Sequence, residues 1–253
     1  MVSRRATRLA LMEHLIVVTG GSAGIGHALL ATAPEPSHRI TVSRREAGDV
    51  ATGFLEADLA DPASWARVGD VLDAVATERE WQRITLVQAA GTLAPIGFAG
   101  EVDPGAYQAN LLLNAAAPLA LGHRYLGAVS HLRCRRELVV VSSGAARKDY
   151  PGWSAYGAAK AAVDRWVSTV GAEQRLRGGV KVLSIAPGVV ATGMQELIRD
   201  TDDRDFPQVE RFRRLHDAGE LLEPADVARA MWSALDDDDL ESGTVLDLRD
   251  RVG

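Results

Sequence analysis

Tyr156 and Lys160 stand in the segment Ser154-Ala-Tyr-Gly-Ala-Ala-Lys160, and the tyrosine follows the second serine of Val-Val-Val-Ser142-Ser143 by thirteen residues. On a helix, a spacing of four puts both side chains on one face. An ammonium so placed can stabilise a phenolate. Bringing a free phenol from a pKa of about 10 to near 7 takes roughly 4 kcal/mol, at about 1.36 kcal/mol per unit. Such a tyrosine could exchange a proton at neutral pH. That is the need of a carbonyl group receiving hydride: its oxygen gains negative charge and requires first a hydrogen-bond donor and then a proton. Ser143, Tyr156 and Lys160 are therefore the candidate catalytic set. The alternative is two exposed helix residues and a serine that satisfies a strand terminus.

Positioning these groups requires a scaffold, and the chain supplies a regular one. His14-Leu-Ile-Val-Val-Thr19 is an apolar, strand-like run, followed by Gly20-Gly21-Ser22-Ala-Gly24-Ile25-Gly26 and a helix-like pattern. Glycines there let backbone approach a pyrophosphate, and the free N–H groups and dipole of the next helix favour the anion. The spacing is Gly-x-x-x-Gly-x-Gly, and the same turn could be only a tight connection. Strand-like runs lie near 14–19, 39–43, 53–57, 84–88, 137–142, 180–185 and 244–248, separated by segments long enough for crossover helices. This predicts a single α/β domain with about seven parallel strands, doubly wound, with helices on both faces. Asp61-Pro62, Asp103-Pro104 and Glu223-Pro224 mark helix starts, since proline is favoured at the first helical position.

Taken together, these motifs resemble the short-chain dehydrogenase/reductase family, whose signature is Thr-Gly-x-x-x-Gly-Ile-Gly, a serine and Tyr-x-x-x-Lys at these separations. The resemblance covers nearly the whole chain: Asp58-Leu59, Ala90-Gly91, Asn114 and Pro187-Gly188 with Thr192 also fall in order. It implies a Rossmann-type fold and a nicotinamide dinucleotide held by Gly20, Ser22, Gly24, Ile25, Gly26, Ser43, Arg44, Arg45, Asp58, Leu59, Ala90, Gly91, Pro187, Gly188, Val190 and Thr192. In this family Asp58 would meet the adenine amino group with Leu59 beside the ring. Lys160 would hold the nicotinamide ribose together with Tyr156, and Thr192 would meet the carboxamide. Asn114 is the candidate for the family's relay asparagine, with Asn110 as its rival; either could be a buried helix polar group, and Thr192 could cap a helix. One departure is Gln88-Ala89-Ala90-Gly91, where the family usually reads Asn-Asn-Ala-Gly, so the brace of the central sheet is longer here.

Cofactor choice can be argued from the end of the second strand, Ile-Thr-Val-Ser43-Arg44-Arg45. An acid there would bind the ribose 2′-hydroxyl of NAD and repel a 2′-phosphate. No carboxylate occupies the position, and Arg44 offers a planar fork of donors to phosphate. NADP(H) is the expected cofactor.

With 253 residues and 47% hydrophobic side chains, the chain can bury one sizeable core. No apolar run nears the roughly 20 residues of a membrane span, and no signal-peptide pattern opens the sequence. A lone cysteine, Cys134, excludes an intramolecular disulfide and fits a reducing, cytoplasmic setting. The net charge of −6 argues against a nucleic-acid partner. Arg133-Cys-Arg135-Arg136 is read as cations favouring a helix C-terminus, and Asp236 to Asp239 as a solvated turn. The scattered histidines lack metal-ligand spacing, so no metal is expected. Residues 1–11 are expected to be a frayed extension, with Met12 a possible start in place of Met1, and residues 12–253 the single domain.

For substrate, the stretch Pro187-Gly-Val-Val-Ala-Thr192-Gly-Met194-Gln195-Glu-Leu-Ile-Arg, with Gly219-Glu-Leu-Leu and Ser242-Gly-Thr-Val-Leu-Asp247, looks like the sepiapterin reductase and benzil reductase branch of the family. That likeness implies a small carbonyl substrate, a vicinal or aromatic diketone, and NADPH. Ser143, Trp153, Tyr156, Met194 and Asp247 are the candidate substrate contacts. Trp153 could line an aromatic-accepting pocket or be packing, and Asp247 could anchor substrate or merely end the last strand. Residues 193–219 are expected to form a helical lid. A 3-oxoacyl carrier-protein reductase and a non-catalytic NADP-binding sensor are the alternatives. Relatives in the family associate, so a homodimer or homotetramer is expected, with Ala158, Ala159, Ala161 and Ala162 permitting close packing or serving the core.

Overall fold

The alternating apolar runs become one seven-stranded parallel sheet in the computed structural model, which describes residues 14–250. The expected extension over 1–11 and the choice between Met1 and Met12 lie outside the described residues. The strands are β1 (His14–Thr19), β2 (Ser37–Ser43), β3 (Gly53–Glu56), β4 (Arg83–Gln88), β5 (Arg135–Val141), β6 (Lys181–Ala186) and β7 (Val245–Asp247), in the order β3-β2-β1-β4-β5-β6-β7. Every pairing is parallel. Parallel strands covered on both faces read as continuous apolar runs, and every residue of β1 is buried.

The helices are α1 (Gly24–Ala31), α2 (Ala63–Thr77), α3 (Pro104–Leu111), α4 (Ala117–Val129), α5 (Ser154–Arg177), α6 (Gly193–Arg199), α7 (Val209–Asp217) and α8 (Pro224–Asp236). Val68, Leu72, Leu121, Tyr125, Val163 and Val167 bring α2, α4 and α5 onto one face of the sheet. Leu29, Leu30, Met231 and Trp232 bring α1 and α8 onto the other. Strand order reverses direction between β1 and β4, and the carboxyl ends of these strands open the crevice in which such sheets bind ligands. No helix of the described residues is long and apolar enough to cross a membrane.

The acid-proline starts work in three ways. Asp103 caps α3, its Oδ1 accepting from the Ala106 amide at 2.7 Å. Asp61 accepts from the Ala63 amide at 2.9 Å, and α2 begins one residue beyond Pro62. Glu223 precedes α8 without a side-chain cap bond. At the other end of α5, Gly178 adopts φ 60° and closes the helix onto the Gln174 and Arg175 carbonyls, a left-handed position that suits glycine. Of the small residues on α5, Ala159 is core, whereas Ala158 and Ala162 are exposed.

Two charged runs depart from their sequence reading. Arg136 does serve a helix end, its Nη1 donating to the Val129 and Ser130 carbonyls at 3.3 Å. Arg135, however, begins β5 and donates from Nε to Glu137 Oε1 at 2.6 Å. Asp236 is no mere solvated turn, since it accepts from Arg83 Nη1 at 2.7 Å. Long-range partners override local charge preference in both cases.

At the amino ends of β1, β4 and β5, His14 Nε2 lies 2.8 Å from Thr85 Oγ1, which itself donates to Glu137 Oε2 at 2.6 Å. That hydroxyl proton is committed to the carboxylate, so His14 supplies the N–H of the shared bond. Burial, then the neighbouring Arg83 and Arg135, lower the His14 pKa from 6.5 to about 3. Below pH 6.5 the unfolded chain takes up this proton and the native one does not, so stability falls as pH drops toward 3. The His14 contribution is expected to lower stability by about 2 kcal/mol between pH 7 and 5. Urea titrations of wild type and His14→Gln at both pH values isolate it; parallel pH dependence in the two proteins contradicts the assignment.

Candidate active site

The turn after β1 builds the first wall of the crevice. Gly20 has φ 75°, and a Cβ there would lie 2.7 Å from the Ala90 backbone. A Cβ on Gly26 would collide with the Gly20 carbonyl. No side chain caps the amino end of α1, where Ala23 is the N-cap residue. Glycine contacts and an uncapped helix terminus leave backbone N–H groups for an anion, so the residues present fit a dinucleotide pyrophosphate.

The crevice is a cavity of about 460 Å³. One end of it is formed by Ser43, Arg44, Arg45, Asp58 and Leu59. Ser43 Oγ donates to the Arg45 carbonyl at 2.6 Å and fixes that turn, and Asp58 Oδ1 accepts from the Ala60 amide at 3.0 Å. Ser22, Ile25, Ala90, Gly91, Pro187, Gly188, Val190 and Thr192 line the middle. Thr192 occupies the N-cap position of α6, yet its side chain makes no cap bond.

At the far end Ser143, Tyr156 and Lys160 converge. Ser143 lies two residues beyond β5 and accepts at Oγ from the Ala145 amide at 3.2 Å. Tyr156 and Lys160 are both buried in the first turns of α5, and the ammonium sits 5.7 Å from the phenol ring centroid. Lys160 Nζ donates to the Val141 carbonyl at 2.8 Å. Burial lowers its pKa from 10.5 to about 8, against the opposing pull of Asp164. Burial also pushes the Tyr156 phenol up, while a hydrogen bond with Ser143 pulls it down. This corrects the expectation that Lys160 draws the phenol toward neutrality: desolvation outweighs the stabilisation of the phenolate, and Tyr156 is a protonated phenol at pH 7.

Asn114 lies in a π turn over Leu112–Ala116, between α3 and α4, and is fully buried. Its Nδ2 donates to the Thr92 carbonyl at 2.8 Å and to Asn110 Oδ1 at 3.0 Å, and its Oδ1 accepts from the Thr92 amide at 3.1 Å. Asn110 donates to the Thr92 and Ala94 carbonyls. The two rivals thus brace the same loop, and neither side chain lines the cavity. A Cβ on Gly91 would lie 2.8 Å from Asn114 Oδ1 and 3.8 Å from Lys160 Nζ, so Asn114 stands close to the Lys160 ammonium. Gln88 ties β4 to α4, its Nε2 donating to the Pro118 carbonyl at 2.9 Å.

An aromatic roof covers this end. Trp153 stacks on Phe206 with centroids 4.4 Å apart and an interplanar angle of 7°, and meets the Tyr156 ring edge-on at 6.0 Å. Ile198, Phe206, Val209 and Phe212, from the 193–219 segment, pack with it. Trp153 therefore does both things read from sequence: it is packed, and it lines the cavity with Met194. Asp247 is different. Its carboxylate accepts from Arg249 Nε at 2.9 Å and Nη2 at 2.5 Å, with Arg147 Nη2 3.8 Å away, and these contacts hold its pKa down against burial. The cavity is lined by Arg249 and not by Asp247. Arg211 and Phe212 fall within the lid expected over 193–219, whereas sequence reasoning missed Arg249 and Tyr150 there. For Arg249 the available signal was a charge two residues beyond Asp247.

A parallel sheet with a glycine cradle at its switch point and a Ser-Tyr-Lys set at the end of the same crevice defines a dinucleotide-binding oxidoreductase. The family model described as short chain dehydrogenase matches residues 14–203, and the chain belongs to that family. It is 32% identical to benzil reductase ((S)-benzoin forming) of Bacillus subtilis (strain 168), covering 93% of this chain and 98% of that protein. It is 31% identical to sepiapterin reductase of Rattus norvegicus, covering 92% and 95%. A solved short chain dehydrogenase/reductase from Saccharomyces cerevisiae superposes with a TM-score of 0.78 at 26% identity, over 92% and 95% of the two chains.

Proposed function

We propose that the protein is an NADPH-dependent carbonyl reductase acting on a vicinal or aromatic diketone. The observation that carries this reading is a buried Tyr156 beside Ser143 beneath the Trp153 roof, at one end of a cavity whose other end presents Arg44. Relatives named for benzil and sepiapterin reduction support the substrate class.

The dinucleotide, when bound, supplies the hydride. Ser143 Oγ–H would hydrogen-bond the carbonyl oxygen and hold it against Tyr156. As charge builds on that oxygen the phenol gives up its proton. A pKa raised by burial keeps the phenol protonated and ready for reduction. Lys160, fixed to the Val141 carbonyl, keeps a positive charge near the phenolate as it forms and would hold the ribose hydroxyls. Asn114 orders the Gly91–Ala94 loop next to that ammonium. Arg44 would bind the 2′-phosphate, and Thr192, free of a capping bond, the carboxamide. The α6–α7 segment acts as the lid that keeps water from the reacting carbonyl.

The test is loss of reduced-nicotinamide absorbance with benzil, a small vicinal diketone, sepiapterin and an acetoacetyl thioester, with NADPH and NADH in parallel. Turnover of a dicarbonyl with NADPH preferred is expected; preference for the thioester would assign it instead to 3-oxoacyl reduction. Arg44→Ala is expected to lower kcat/KM for NADPH about 10- to 100-fold, by removing one charge-assisted phosphate contact, and to leave NADH nearly unaffected. Equal effects on both cofactors would remove Arg44 from 2′-phosphate recognition.

A further inference from the structure

Among the described residues lining the cavity, the cations are Arg44, Arg45, Lys160, Arg211 and Arg249, and Asp58 is the carboxylate. This imbalance sits in a chain of net charge −6. Arg44, Arg45 and Asp58 face the adenosine end, and Lys160 serves the phenol. Arg211 and Arg249 remain, both at the substrate end, and neither has a duty in proton transfer or dinucleotide binding.

Their placement is specific. Arg249 Nη2 lies 3.4 Å from where a Cβ on Gly144 would stand, one residue beyond Ser143. Its Cγ is equally close to a Cβ built on Gly188, so the side chain spans the loops after β5 and β6 on either side of the reacting carbonyl. Asp247, itself buried, grips the guanidinium through Nε and Nη2 and also receives the Arg249 amide at 3.1 Å. That fork holds the arginine in one orientation. Arg147 approaches the same carboxylate, so two guanidiniums share one negative charge. On the aromatic side, Arg211 Nη1 donates to the Tyr150 hydroxyl at 3.1 Å, and the Tyr150 ring lies 4.8 Å from Trp153.

We infer that Arg249, with Arg211 lining the same cavity, selects a substrate whose second carbonyl is a carboxylate: an aromatic 2-oxo acid, its aryl group under Trp153 and Tyr150. This rests on the carbonyl reductase reading and narrows it. A 2-oxo acid is a vicinal dicarbonyl in which one member is anionic, and guanidinium recognises a carboxylate through charge-assisted bonds. Reduction forms a C–H bond from the hydride as the C=O π pair takes the Tyr156 proton. The product is the 2-hydroxy acid, and the dinucleotide leaves oxidised. Asp247 is then a positioning residue acting through Arg249.

Benzoylformate and its methyl ester share one carbon skeleton and differ in charge, so their kcat/KM ratio reads the anion site. The wild-type protein is expected to prefer the acid, and Arg249→Gln to lower the acid-to-ester ratio about 10- to 100-fold, Arg211→Gln less. An unchanged ratio in Arg249→Gln overturns the inference, as does a wild-type protein that reduces benzil and the ester but not the acid; that second result leaves the reductase reading intact. A binding readout is independent of turnover. Mandelate added to the NADP⁺-loaded protein is expected to quench tryptophan fluorescence with a Kd at least about tenfold weaker in Arg249→Gln, provided Arg249 supplies a charge-assisted bond. Mandelate binding with equal Kd in both proteins, or no binding at all, also overturns it. If in addition no carbonyl compound is reduced, the reductase reading falls too.

Discussion

Tyr156→Phe is expected to lower kcat about 10²- to 10⁴-fold while leaving NADPH affinity and thermal midpoint close to wild type. The substitution deletes one oxygen from a side chain only 6% exposed and keeps the ring that meets Trp153 edge-on. Packing is therefore preserved, and the lost interaction is with Ser143 and with the oxygen of the reacting carbonyl. Proton delivery is realised only as charge develops, so the loss belongs in kcat rather than in KM. A drop of that size corresponds to about 2.7–5.4 kcal/mol of barrier. Isothermal titration with NADPH, run beside single-turnover reduction of benzil, separates the two quantities. Retained binding with retained turnover would falsify the assignment of the phenol as proton donor. Lys160 adds a pH signature. With the phenol above its ordinary value and the ammonium near 8, kcat/KM of the free enzyme is expected to fall as pH rises through about 8.

Much of this site was legible because its parts are local. The glycine turn follows an all-buried strand, Tyr156 and Lys160 share one helix, and the strands expected at 14–19 and 84–88 became His14–Thr19 and Arg83–Gln88. Each of these rests on a period or a turn that a few neighbouring residues determine. Other features depend on pairs far apart in the chain, and there the reading failed. Arg135 looked like part of a helix end because nothing local announces that Glu137, two residues on, faces Arg83 of another strand. The aromatic roof needs Trp153 and Phe206 to stack across more than fifty residues. Asp247 carried a family role as a substrate anchor, but its own neighbour Arg249 takes both of its oxygens. The depressed phenol pKa expected from Tyr-x-x-x-Lys fails for a similar reason: spacing gives proximity of charge, whereas burial, which here pushes the phenol the other way, is a property of the whole fold.

Glu137→Leu is expected to lower stability by about 3–5 kcal/mol without changing kcat in the folded fraction. Glu137 is completely buried in β5, and its two oxygens accept from Arg83 Nε at 2.8 Å and Nη2 at 3.0 Å, from Arg135 Nε at 2.6 Å and from Thr85 Oγ1 at 2.6 Å. Removing the carboxylate leaves the Arg83 guanidinium, 12% exposed, short of its main counter-charge, and leaves the Thr85 hydroxyl without the oxygen that accepts its proton. The exposed partner of Arg83, Asp236, is too solvated to make good the loss. Glu137→Gln keeps the shape but turns an amide N–H₂ toward arginine donors, so it is expected to be nearly as destabilising. The double variant Glu137→Leu with Arg83→Met removes both charges together and is expected to recover most of the lost stability, because the desolvation of the pair vanishes with it. Urea unfolding of the two single variants and the double one closes this cycle. Additive losses would mean that the carboxylate acts through packing and not through its guanidinium partners. The network joins the amino ends of β1, β4 and β5, whereas Ser143, Tyr156 and the glycine turn sit at the carboxyl ends. Stability and turnover are therefore separable along the length of the same strands, and unfolding of Glu137→Leu should proceed with the reductase activity of each remaining folded molecule intact.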